Sequence, residues 1–140
     1  MKAKVLFLAI LLSVVTVSAL NVDNVNVKEE SENPLQGNWR EVDERKVAGG
    51  LTAMKLFTGT RYIWMIYDSQ KTVIQVGSGT YTIEGDRYVE TITANSYAKE
   101  LIGRKGYINF RIEGKIMTIS GYLEMESNIM PINEVWEKID

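Results

Sequence analysis

From Trp39 to the C-terminus, apolar side chains recur at every second position and not at helical spacing. A period of two means extended strands with one face turned inward. Residues 40–47 read as a first strand, ended by Ala48-Gly49-Gly50, and residues 54–57 as a second. Thr58-Gly59-Thr60 is a hairpin loop leading into residues 61–67, which are rich in aromatic and β-branched side chains. After the turn Asp68-Ser69-Gln70-Lys71, residues 72–76 run through Gly77-Ser78-Gly79, a bulge or corner, into residues 80–84.

Two hairpins are specific enough to predict registers. A two-residue turn at Gly85-Asp86 sets Glu84 against Arg87, Ile83 against Tyr88 and Tyr81 against Glu90. A two-residue turn at Glu113-Gly114 sets Phe110 against Met117 and Ile108 against Ile119, with the apolar residues of both strands on one face. Only residues 95–103 break the rhythm. They form either a short helix, capped by Asn95 or Ser96 and ended by Gly103, or a loop. Residues 132–139, with Trp136, supply the last strand. The expected fold is all-β: an antiparallel up-and-down barrel of about eight to ten strands with at most one short helix. No stretch is long enough for a crossover helix, which argues against a parallel sheet.

Ahead of the barrel, Lys2 and Lys4, the apolar run 5–17 and Val17-Ser18-Ala19 fit a secretory signal over residues 1–19. The run is short for a membrane span, and a retained signal anchor is the alternative. Residues 20–34 are polar and acidic, a linker, and residues 35–140 form the domain. The expected location is therefore outside the cytoplasm, secreted or periplasmic, with no cysteine to carry a lipid anchor. Loss of the leader leaves 18 acidic side chains against 14 basic ones, with no footprint for nucleic acid.

Missing residue types narrow the chemistry further. With no histidine and no cysteine, the usual triads, thiol chemistry and ordinary zinc or copper sites are excluded. No metal or cofactor is expected, and no catalysis. Glu124, Glu126 and Glu134 are the carboxylates a glycosidase could use, but a solvated strand face is the ordinary explanation for them.

Gly37-Asn38-Trp39 at the start of the first strand resembles the opening of lipocalin and fatty-acid-binding barrels. With Lys55-x-Phe57, Arg61-Tyr62-x-Trp64, Gly79-Thr80-Tyr81, Tyr88-Val89-Glu90, Gly121 and Glu134-x-Trp136, the domain is similar to a bacterial family of secreted lipocalin-like proteins of unassigned function. The resemblance implies structural roles for Gly37, Trp39 and Trp136, and a hydrophobic or amphipathic small molecule as partner. Only Ala48-Gly49-Gly50 lies where fatty-acid-binding barrels carry a helical lid. In typical lipocalins a cation stacks on the indole of this motif; Lys138 either does so or is simply solvated.

Tyr62, Trp64, Tyr81, Phe110 and Tyr122 could line an apolar pocket; filled core is the alternative for each. Glu90 shares the inward face of Tyr81 and Tyr88, where a carboxylate is costly unless hydrogen-bonded. It anchors a ligand, bonds Tyr81 or sits at a wet mouth. The competing function is a protein- or polysaccharide-interaction module with a filled barrel, since residues 61–67 are apolar on both faces.

Overall fold

The computed structural model describes residues 32–42 and 49–140. The expected signal, nearly all of the expected linker, positions 43–47 of the expected first strand and Ala48 after it lie outside the described residues. The alternating pattern forms eight strands: β1 (Gly37–Glu41), β2 (Thr52–Phe57), β3 (Arg61–Tyr67), β4 (Val73–Glu84), β5 (Arg87–Asn95), β6 (Lys105–Glu113), β7 (Ile116–Glu124) and β8 (Ile129–Lys138). Each pairs antiparallel with its neighbour in sequence, and β8 returns to β1 to close the barrel. Closure leaves no free strand edge. No helix among the described residues is long and apolar enough to cross a membrane.

The first hairpin register matches expectation at every pair, with Gly85 at φ +69° leading the turn. The second is displaced. Glu113 pairs with Ile116, so the turn is Gly114-Lys115; Phe110 faces Ile119 and Ile108 faces Gly121. Gly114, at φ +60°, takes the first central position, the place a type II′ turn reserves for glycine. Moving the turn by one residue changes each pairing by two, so the inward face is preserved.

Gly77-Ser78-Gly79 does more than mark a corner. The register shift falls between Ser78 and Gly79, with Thr93 as the extra residue on β5. Gly77 and Gly79 lie directly opposite Trp64 and Tyr62. A Cβ on Gly77 would stand 2.6 Å from the indole, and one on Gly79 would stand 2.7 Å from the phenol ring. These glycines are seats for two inward-facing rings. Residues 95–103 contain one short 3-10 turn, Lys99–Leu101. Asn95 starts the excursion: its Oδ1 accepts from the amides of Tyr97 (2.9 Å) and Ala98 (2.8 Å).

Candidate functional site

The barrel's two ends are filled differently. At the closed end, where β1 begins, Trp39 is fully buried and its indole N–H donates to the Leu35 carbonyl at 2.7 Å. Lys138 Nζ lies 5.5 Å from the centre of that indole, so of the two readings of Lys138 the stacked one holds. Phe57, Tyr81 and Tyr88 meet edge to face at 5.2–6.3 Å between ring centres, and Phe110 joins Tyr88 at 6.1 Å. The Tyr81 hydroxyl donates to the Thr58 carbonyl and accepts from Asn33 Nδ2 at 2.6 Å. Asn33, placed by sequence in the linker, thus packs with the barrel.

Above this plug lies a cavity of about 450 Å³. Trp64, Ile66, Ile92, Ile119, Leu123 and Ile132 give it apolar walls, while Tyr97 and Leu101 reach its mouth from the 95–103 segment. Its floor is charged. Lys55, on β2, and Glu90, on β5, form an ion pair at 3.2 Å, each side chain only 8% exposed. The two strands are not neighbours, so this bond spans the lumen. Gly106 stands opposite Glu90 on β6; a Cβ there would come within 2.9 Å of the Glu90 Cγ, so the glycine makes the hollow the carboxylate occupies. Glu134 accepts from the Trp136 indole N–H at 3.0 Å in the cavity wall.

The surrounding charges hold the Lys55 ammonium protonated. Burial alone would lower the Lys55 pKa, but Glu90, followed by Tyr88, Glu134 and Tyr62, outweighs it and holds the ammonium above the ordinary lysine value. Beneath the ammonium lie the rings of Tyr62 at 4.9 Å, Phe57 at 5.3 Å and Tyr88 at 5.7 Å, a cation–π cage that replaces part of its hydration. Burial pushes the Tyr62 and Tyr88 phenols up, and the Glu90 charge adds to both. Lys55 acts on the Tyr88 oxygen through its charge without reaching hydrogen-bond geometry, and the Tyr62 hydroxyl likewise makes no hydrogen bond.

Of the residues grouped from sequence, Trp64 and Glu90 line the cavity. Tyr62, Tyr81 and Phe110 belong to the plug below it. Tyr122 is on neither: it stands on the outer face, 37% exposed, with its ring 5.3 Å from Tyr107. On β7 the inward positions are Met117, Ile119 and Leu123, and alternation places Tyr122 outside. Glu90 is buried and inward as expected, but its partner is Lys55 and not Tyr81. Lys55 is the residue sequence reading missed. The signal was present, because an inward Phe57 forces an inward Lys55 two positions earlier. Trp136, expected to be structural, also contributes to the cavity wall, beside Glu134. Glu124 ends β7 in an exposed position, away from the cavity.

Residues 34–140 match the family described as "Domain of unknown function (DUF4488)". No curated protein matches the chain.

Proposed function

We propose that this chain, which belongs to the DUF4488 family, is a non-catalytic lipocalin-like binding module that takes one apolar or amphipathic small molecule into the open half of its barrel. The observation that carries this reading is the cavity of about 450 Å³, apolar-walled and floored by a buried ion pair. Its size falls in the roughly 300–1,000 Å³ range of small-molecule sites, and a few convergent polar groups on an apolar lining are their usual composition. The ligand's apolar part would lie along Trp64, Ile92 and Ile132, with its polar end toward Lys55 and Glu90. A signal over residues 1–19 would place the encounter outside the cytoplasm.

Native mass spectrometry of protein purified from its own export compartment tests this, paired with displacement of a fluorescent apolar probe. Stoichiometric co-purified mass and saturable one-site displacement are expected. Absence of both, with the barrel folded, would sink the reading. A second reading, contact with another macromolecule, is favoured by the outer face, where Leu56 stands opposite Ile63 across β2 and β3 and both are exposed. Sedimentation velocity across a concentration series tests self-association through that face.

A further inference from the structure

The apolar side chains that folding leaves exposed are not spread evenly over the barrel. The strands alternate in direction and β1 begins at the closed end, so the connections β1–β2, β3–β4, β5–β6 and β7–β8 all fall at the open end. Each of the four carries exposed large apolar residues within it or where it enters the next strand: Leu51, then Val73 and Ile74, then Tyr97 and Ile102, then Ile129 and Met130. The five most exposed large apolar side chains of the described residues are all among them, led by Tyr97 at 82% and Ile129 at 58%. The connections of the closed end are polar turns, Thr58-Gly59-Thr60, Gly85-Asp86 and Gly114-Lys115. Single exposed apolar residues are ordinary, but a ring of them around one opening marks a contact surface. At the start of β4 the ladder to β3 skips Ile74, pairing Tyr67 with Val73 and Ile66 with Gln75. That bulge breaks the alternation, and both Val73 and Ile74 stay uncovered. Tyr97 and Met130 also line the cavity, so the apolar rim continues into its wall.

Resting on the binding function proposed above, we infer that the open rim is a docking face for a lipid bilayer, from which the cavity takes its amphipathic guest. Side chains on four separate connections make an interrupted ring around an opening. A fluid acyl phase closes on such a ring at any spacing, whereas a folded partner would have to match each projection and would stop the mouth. Burial of the rim in that phase drives the docking. Charge does not. The connections carry Lys71, Lys99 and Arg104 against Asp68, Glu100 and Glu126, and Asp43, Glu44, Arg45 and Lys46 add two of each sign in sequence. An equal mix of signs gives no net pull toward anionic headgroups. With the rim seated, an amphiphile enters the cavity head first and without crossing water. Its head reaches Lys55 and Glu90 at the floor, and its tail follows along the apolar wall.

The test is flotation of the exported chain with neutral phosphatidylcholine vesicles, beside a double variant, Ile74→Asp with Ile129→Asp. Neither residue lines the cavity. The native chain should float, and equally well when salt is raised to about 0.5 M, since screening weakens charge attraction and not apolar burial. The double variant should bind vesicles at least about tenfold more weakly, while displacing the apolar probe in solution as the native chain does. Ile116→Asp puts the same charge on an exposed residue at the closed end and should float like the native chain. Probe preloaded in the vesicles should reach the native chain at a rate that rises with protein concentration. A rate independent of it would mean that the guest crosses water, and would overturn direct uptake. No flotation of the native chain would overturn the docking face, while displacement in solution still decides the binding function separately. Equal flotation of the double variant, or an equal loss in Ile116→Asp, would overturn the assignment to the rim. Binding abolished by salt would overturn its apolar cause. A dimer in place of flotation, undone by the double variant, would give the rim to a second copy and overturn the lipid partner. Should the double variant fail to fold, Ile102→Asp, a single rim change outside the cavity lining, must weaken flotation in its place.

Discussion

Tyr81 at the closed end and Lys55 at the cavity floor are both buried and polar, but the barrel satisfies them by different means. The Tyr81 hydroxyl is held by the Thr58 carbonyl and the Asn33 amide, groups fixed by the local chain and its turns. Lys55 is held by a carboxylate on a strand across the lumen, and faces open space on its other side. The closed half is thus a packed aromatic core in which the Tyr81 tip is tied to the Thr58 backbone and the Asn33 side chain. The open half is a lined void whose floor charges, Lys55 and Glu90, pair with each other. Tight packing stabilises a fold without leaving a site, whereas a void floored by a charge pair gives up dispersion contacts and keeps room for a guest.

The largest expected effect of testing that contrast lies in the closed half. Trp39→Ala should cost on the order of 3–5 kcal/mol, as truncation of a fully buried large aromatic does. Ile132→Ala, in the cavity wall, should cost no more than about 2 kcal/mol, because the lost methyls already face space. Urea denaturation of both variants measures the difference. Equal costs would mean that the two halves are packed alike.

Next comes the floor. Lys55→Met leaves Glu90 buried without its counter-charge, which should cost about 3 kcal/mol, and Lys55→Met with Glu90→Leu should recover most of it. The same region sets the alkaline limit. Lys55 is held above its ordinary value, so its contribution is complete below the unfolded lysine pKa of about 10.4 and is lost as pH rises through the folded value. Tyr62 and Tyr88, raised by burial, act in the same direction: above about pH 10 the unfolded chain releases protons that the barrel retains. Ultraviolet titration should therefore show these two phenolates emerging only with unfolding. Their smooth ionisation in a folded barrel would contradict the burial that raises them.

A smaller effect tests the boundary between wall and void. Gly77→Ala places a methyl 2.6 Å from the Trp64 ring, and the indole must give way toward the cavity. The expected cost is about 1–3 kcal/mol, as for overpacking elsewhere, with probe binding weakened by more than the fold. Unchanged probe affinity would show that Trp64 does not bound the ligand space.

The closed half was readable in the sequence because it is made of local rules. Alternation, the Gly-led turn at Gly85-Asp86 and Gly37-x-Trp39 each act within a few residues. The same glycine rule, applied at Gly114, would have given the observed second register; placing the glycine second in the turn lost it. The floor was half readable. Period two puts Glu90 inward and, from Phe57, Lys55 as well. Nothing in either strand says that β2 and β5, non-neighbours in the sheet, lean across the lumen toward each other. That depends on barrel closure and curvature, which are properties of all eight strands together. The aromatic set divided between cavity, core and outer face for a simpler reason: residue type says that a ring prefers burial, and only register says which half of the barrel, or which face, receives it.

Tyr122 gives the smallest effect and the cleanest check on that last point. It sits outside, opposite Tyr107 across β6 and β7, with Pro131 on its other side. A cross-strand aromatic pair on an exposed face contributes roughly 0.2–1 kcal/mol, so Tyr122→Ser should lower the unfolding free energy by no more than that. It touches no residue of the floor and lines no part of the cavity. Probe affinity should remain within error of the native chain. A change in affinity without a matching loss of stability would place ligand contacts on the outer face. The division between a structural closed half and a binding open half would then have to yield to one between inside and outside.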